Sequence, residues 1–326
     1  MKQDISRRGL LLGAGMAALS SPALAQVPGL GGLGGIIGDN LPKVANGLSL
    51  TSLAGNRDLI TTSLKDAKYG VPSMDNFVPP VPKKSLKVLQ RNSVGAFVLT
   101  AGYFDFHAQS YCFHAGTHGP GGGDAYLYAP TLGSAAALIT QIRQNSFLNP
   151  DIEQHDIQSL IWAILSRAKF ETLSPELQAV AARLMTKQQL LTLNRSALDV
   201  IPPSVLNKTI LQAPPALQQA LRAEGQIRSL LSSGGSYASI ERVAVLTGDA
   251  PWGAGSIETP QTRWSLHPDG YYIRFTPSGY SHTYVEVWVE KTSKAIGKIL
   301  DLCTHVAVPC NTSRQRLGQS NREKKA

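Results

Sequence analysis

Residues 281–289 alternate strictly: Val285, Val287 and Val289 fall on one face, and Tyr284, Glu286 and Trp288 on the other. Successive strand side chains point to opposite faces, so this pattern predicts a half-buried antiparallel strand. Residues 270–275 precede it across the turn Thr276-Pro277-Ser278-Gly279, which makes a β-hairpin within 262–292. A second β-rich stretch lies far upstream, at 86–130. It holds the apolar run 95–100, the aromatic-dense run 103–114 and, after a glycine-rich break, the extended run 125–129. Neither segment is large enough to stand alone as a stable sheet, so the two are expected to pair.

Between them the period changes. Residues 132–144 and 151–169 carry apolar side chains at helical spacing, with Ile157, Leu160, Ile161, Ile164 and Leu165 forming one stripe. Ser174-Pro175-Glu176-Leu177 opens a further helix, with serine as cap and proline in the first turn. Shorter helices are expected at 186–193, 203–211 and 215–231, and another at 58–68. The fold class that follows is α+β: a small antiparallel β portion built from two sequence-distant segments with a helical insertion between them. The expected organisation is a signal peptide at 1–25, a Gly/Pro-rich arm and linker at 26–84, one α+β domain at 85–292 and a C-terminal segment at 293–326. Within the domain, β structure takes 86–130, helices 131–247 and the hairpin 262–292.

The N-terminus carries its own instruction. Ser6-Arg7-Arg8-Gly9-Leu10-Leu11-Leu12 sets two arginines before an apolar run too short to span a bilayer, and Ala23-Leu24-Ala25 supplies small residues for cleavage. This predicts export in folded form by the twin-arginine route to the periplasm or cell surface. No later stretch is long and apolar enough to span a membrane. The formal charge of +9 falls by two if Lys2, Arg7 and Arg8 leave together with Asp4. Part of the rest is local: Arg314, Arg316, Arg322, Lys324 and Lys325 stand against Glu323 near the end. Such a basic tail suits an envelope component or an anionic polymer; no nucleic-acid partner is expected.

The chain has three cysteines. Cys303 and Cys310 enclose six residues, and in an oxidising compartment a tight loop there would allow a disulfide. Cys112 is left over, within the densest chemistry of the chain. His107, Cys112, His114, His118 and Asp124 lie together, with the glycines 119 and 121–123 among them. On a strand Cys112 and His114 share a face and His107 takes the other, while the glycine turn is able to bring His118 back. One reading is a metal site of Cys112, His114 and His118, suited to zinc or copper. Another is a Cys112 nucleophile with His118 or His114 as base and Asp124 orienting, that is, a cysteine-dependent hydrolase or transferase. The plainest is a buried strand cysteine. Tyr284 and Trp288, with Tyr271 or Tyr272 across the hairpin, form a candidate aromatic platform for a polymer, and His282 sits at the hairpin's mouth. There is no Gly-x-Ser-x-Gly elbow, His-Glu-x-x-His motif or phosphate loop. The leading expectation is therefore an exported envelope or extracellular-polymer protein with a binding or assembly role, ahead of the thiol enzyme and the metal protein.

Overall fold

A computed structural model describes residues 59–60, 63–194, 211 and 215–324. The expected signal peptide at 1–25, the expected arm up to residue 58 and residues 203–210 of the helix expected at 203–211 lie outside the described residues.

Six strands form the centre: β1 (Gly102–Cys112), β2 (Tyr126–Pro130), β3 (Tyr272–Pro277), β4 (His282–Val289), β5 (His305–Pro309) and β6 (Leu317–Glu323). Their order is β3-β4-β1-β6-β5-β2, every pair antiparallel, and the Tyr126–Phe275 pairing of β2 with β3 closes the ring. The two distant β segments do pair, β4 against β1 over eight residues from His282–Gln109 to Val289–Gly102. The α+β class holds, but the β portion is a closed barrel rather than a small sheet.

The difference comes from the C-terminal segment. Residues expected as a disulfide loop and a basic tail are β5 and β6, two of the six barrel strands. The sequence hides them because both faces are buried. Val306 and Val308 enter the helical core and Ala307 the barrel core. In β6, Gln319, Ser320 and Asn321 are buried: Asn321 donates to the Val94 carbonyl and accepts from the Leu302 N–H, and Gln319 Nε2 donates to the Leu317 carbonyl while its Oε1 has no partner. Cys303 and Cys310 are free thiols. They flank β5, and an extended strand of that length holds them about 20 Å apart, whereas a disulfide needs Cα atoms within about 7 Å. The tail arginines are likewise engaged. Arg314 pairs with Asp124 at 2.8 Å, and Arg316 is buried, donating to the carbonyls of Thr312 and Arg314.

Six helices cover one side: α1 (Ala136–Leu148), α2 (Gln154–Leu165), α3 (Pro175–Leu184), α4 (Lys187–Leu193), α5 (Pro215–Ser232) and α6 (Tyr237–Ala244). The Ser174 hydroxyl caps α3 with Pro175 in its first turn, as the sequence predicts. The described part of the helix expected at 58–68 holds a short 3-10 turn, Leu64–Asp66. No helix among the described residues is long and apolar enough to cross a membrane.

Two hydrophobic cores result. The barrel interior is filled by Phe104, Phe106, Tyr126, Ile273, Phe275, Val285 and Val287, and the helices pack outside it on Tyr111, Phe113, Val306 and Val308. The layers are clamped by Arg143 of α1, which lies over the Phe113 ring and donates to the Gln319 carbonyl of β6 at 2.7 Å. Phe113 in turn rests on Gly318, where a Cβ would meet the ring at 1.9 Å. The end of the linker straps the barrel: Gly70–Val71 pairs with Trp264–Leu266 beside β3, and Lys83–Ser85 runs parallel to β1.

Candidate functional site

The sequence cluster falls at the end of β1, where barrel and helices meet. Cys112 is the last residue of β1 and opposes Leu317 of β6. Its backbone is held by one side chain: the Cys112 N–H donates to Gln158 Oε1 at 2.8 Å, and Gln158 Nε2 returns a bond to the Cys112 carbonyl at 3.1 Å. Gln158 sits in the apolar stripe of α2, so the helix reads the end of the strand through an amide that imitates a neighbouring strand. Four residues on, the buried Trp162 indole N–H has no hydrogen-bond partner; it lies close to the Cys112 sulfur, where it favours the thiolate.

The sulfur itself faces Gln315. Cys112 Sγ stands 2.5 Å from Gln315 Oε1, and both residues are fully buried. Gln315 is fixed by three bonds of its own and one at the next residue. Its side-chain Nε2 donates to the carbonyls of Thr117 and Ala244, each at 3.0 Å, and its N–H donates to the His118 carbonyl at 2.8 Å, while Phe113 N–H binds the next carbonyl, that of Arg316. The amide plane is thereby set with its carbonyl end on the sulfur. Thr117 is within reach because the chain turns at Gly116, which has φ +74° and sits against Ala223 of α5.

Burial dominates the electrostatics here. It pushes the Cys112 thiol up to about 12. Burial, with Arg316 adding repulsion, lowers His114 to about 3, so this imidazole stays neutral. Arg316 is itself lowered to about 10 by burial.

The structure does not bring the expected Cys112, His114, His118 and Asp124 to one point. The Cys112 sulfur approaches the backbone carbonyl of His114, at 3.8 Å. His118 lies on a two-residue strand paired parallel to Val245–Leu246, and its backbone is zipped to Ser313 and Gln315. The Nδ1 atoms of His114 and His118 are both buried without a partner. Asp124 is committed to Arg314 and to the Gly121 N–H. Among the described residues no group of three His, Cys, Asp or Glu side chains could hold a metal. Neither glutamine was singled out from sequence. The available signal was Gln158, an uncharged polar residue inside an otherwise apolar helical run.

A cleft of about 310 Å³ opens beside this centre, lined by His155, Asp156 and Ser159 of α2, Glu176 of α3 and Tyr237 of α6. Tyr237 is its wall toward the cysteine, for the ring stacks on Trp162 at 5.7 Å and is close enough to feel charge on Cys112. Elsewhere, Trp288 stacks on Tyr272 at 5.1 Å and is covered from the linker by Phe77 at 4.7 Å. Tyr284 donates to Asp105 and accepts from Lys83, whereas Tyr271 is buried beneath. The platform residues are thus partly occupied by their neighbours. No protein-family profile, curated protein or solved structure matches the chain.

Proposed function

We propose that this is an exported envelope protein whose barrel carries an internal thioester between Cys112 and Gln315, used to attach the protein covalently to a nucleophile on an envelope component or extracellular polymer. The observation that carries this reading is the 2.5 Å approach of Cys112 Sγ to Gln315 Oε1. That separation is far inside ordinary contact for sulfur and oxygen, and it is the spacing of two atoms carried on one carbon. A thiol raised to about 12 in a dry site is a poor free nucleophile toward solvent species. It is well suited to one fixed neighbour, because orientation replaces diffusion.

The step balances without a co-reactant. The Cys112 sulfur bonds to Gln315 Cδ, the Cδ–Nε2 bond breaks, and ammonia leaves with the thiol's proton. The Trp162 N–H offers a donor to charge on the sulfur, and Gln158 holds the strand end that carries it. The product is an activated acyl group sealed from water. An amine or hydroxyl entering beside Tyr237 would take the acyl group as an amide or ester and leave Cys112 as a thiol. The twin-arginine signal supports an extracytoplasmic setting, since that route exports a chain already folded. The aromatic row with Tyr284 and Trp288 supports a polymer or envelope surface as the place of docking.

Intact mass of the exported protein tests this. The expected mass lies below that of the processed sequence by one ammonia, and methylamine treatment adds one methylamine to that mass. Cys112→Ser and Gln315→Ala should both show the full sequence mass. Full mass for the native protein, with Cys112 alkylated only on unfolding, would instead establish a plain buried cysteine.

A further inference from the structure

A second cluster of chemistry lies on the outer face of the barrel, away from the cysteine. His107 of β1 and His282 of β4 sit diagonally across adjacent strands, where Tyr284 opposes His107 and His282 opposes Gln109. Both side chains project outward, because the neighbouring Phe106, Ala108 and Val285 fill the barrel. His107 Nδ1 and His282 Nε2 approach to 3.0 Å, with ring planes 27° apart. We propose that this pair is a binding site for a late first-row divalent cation, copper or zinc, with water completing the coordination.

Three features support a metal over a chance meeting of rings. The two nitrogens lie 3.0 Å apart, and two imidazole ligands of one such ion lie only slightly farther apart, at bond lengths of about 2.0 Å each. His282 has an orienting partner: its Nδ1 is 2.6 Å from Ser278 Oγ, and in the tautomer whose Nδ1–H donates to that hydroxyl Nε2 is a lone pair available to a metal. The backbone around both residues is also pinned: Ser278 N–H binds the His282 carbonyl, Gln154 Nε2 donates to Ser281 O, and Lys324 N–H binds the His107 carbonyl. Little reorganisation is then needed to bind. Lys324 is near enough to His282 to oppose a cation, so moderate affinity is expected. The site is exposed on the His107 side, and two protein ligands leave open positions, which suits capture of an ion from the extracytoplasmic medium or bridging to a partner's ligand.

Titration of the mature chain with Cu(II), followed by electron paramagnetic resonance, tests this directly. One equivalent should bind with hyperfine splitting from two imidazole nitrogens, and Zn(II) should compete more weakly. His107→Ala and His282→Ala should each raise Kd at least about tenfold, and Ser278→Ala by about tenfold through loss of the orienting bond. His155→Ala, which removes another imidazole, should leave Kd unchanged. Circular dichroism and thermal melting confirm that each variant is folded. Absence of saturable binding, or stoichiometric binding that survives His107→Ala, would establish the pair as an imidazole–imidazole hydrogen bond only.

Discussion

Gln158 shows how much a single side chain settles here. An amide on α2 supplies both the donor and the acceptor that the end of β1 needs, in a place where no strand is available to supply them. Replacing it with leucine keeps the volume but leaves a buried N–H and a buried carbonyl of Cys112 unpaired. Each orphaned group costs about 1–3 kcal/mol, so Gln158→Leu should destabilise by about 2–5 kcal/mol in urea unfolding. It should also slow formation of the Cys112–Gln315 bond, because the strand end that presents the sulfur loses its anchor. A loss below about 0.5 kcal/mol would mean that water or a local shift satisfies both groups. Glutamine is right for this position because a charged residue would be desolvated there, while a serine would not span the gap.

At the scale of elements, β6 and its partner loop decide the architecture. Gly318 suits its place because the tip of the Phe113 ring lies against it. Gly318→Ala drives a methyl into the ring, and overpacking of this kind costs about 1–3 kcal/mol. Adding Phe113→Leu should recover part of that loss, and a double-mutant cycle showing strict additivity would mean that the ring moves aside freely. The same strand explains what the sequence made legible. The β3–β4 hairpin and α2 were readable because each buries one face and leaves the other partly exposed, so Val285, Val287 and Val289 alternate and Ile157 to Leu165 form a stripe. β5 and β6 were not, because strands buried on both faces lose the alternation, and β6 buries the polar side chains of Gln319, Ser320 and Asn321, which read as a solvated stretch. The candidate site was legible only as to Cys112. Its partners Gln158 and Gln315 lie 46 and 203 positions away, and only closure of the barrel and docking of α2 brings them together. The local histidines, which drew attention by proximity in sequence, do not join it: the Nδ1 atoms of His114 and His118 are buried without a partner.

For the molecule as a whole, buried neutral histidines couple stability to pH. His114 is lowered to about 3 and His267 to about 4, both chiefly by burial, and His305 lies well below its ordinary value for the same reason with His267 adding repulsion. His305 is fully buried, with Nε2 on the Tyr271 hydroxyl at 2.7 Å and its ring stacked on His267 at 5.2 Å. In the unfolded chain all three titrate near 6.5. The native state therefore binds fewer protons than the unfolded state between roughly pH 6.5 and 4. Stability is fully present above the unfolded value and is lost as pH falls through that window. Between pH 6 and 5, above the range of ordinary carboxylates, the slope should approach three protons, about 4 kcal/mol per pH unit. His305→Asn, which keeps an amide for Tyr271 and Asp301 to bond, should lower that slope by about one proton. Urea unfolding at closely spaced pH values measures it, and a slope below one proton would show that these imidazoles accept protons in the native state. The contribution has a direction in space as well as in magnitude. His267 and His305 act where β5 meets the loop before β3, and His114 acts beside Cys112. Through His114, acid should loosen the junction of barrel and helices, while β4 carries none of the three. That junction seals the Cys112–Gln315 centre, so hydrogen exchange at residues 112–118 should rise at pH 5 before the barrel strand β4 exchanges.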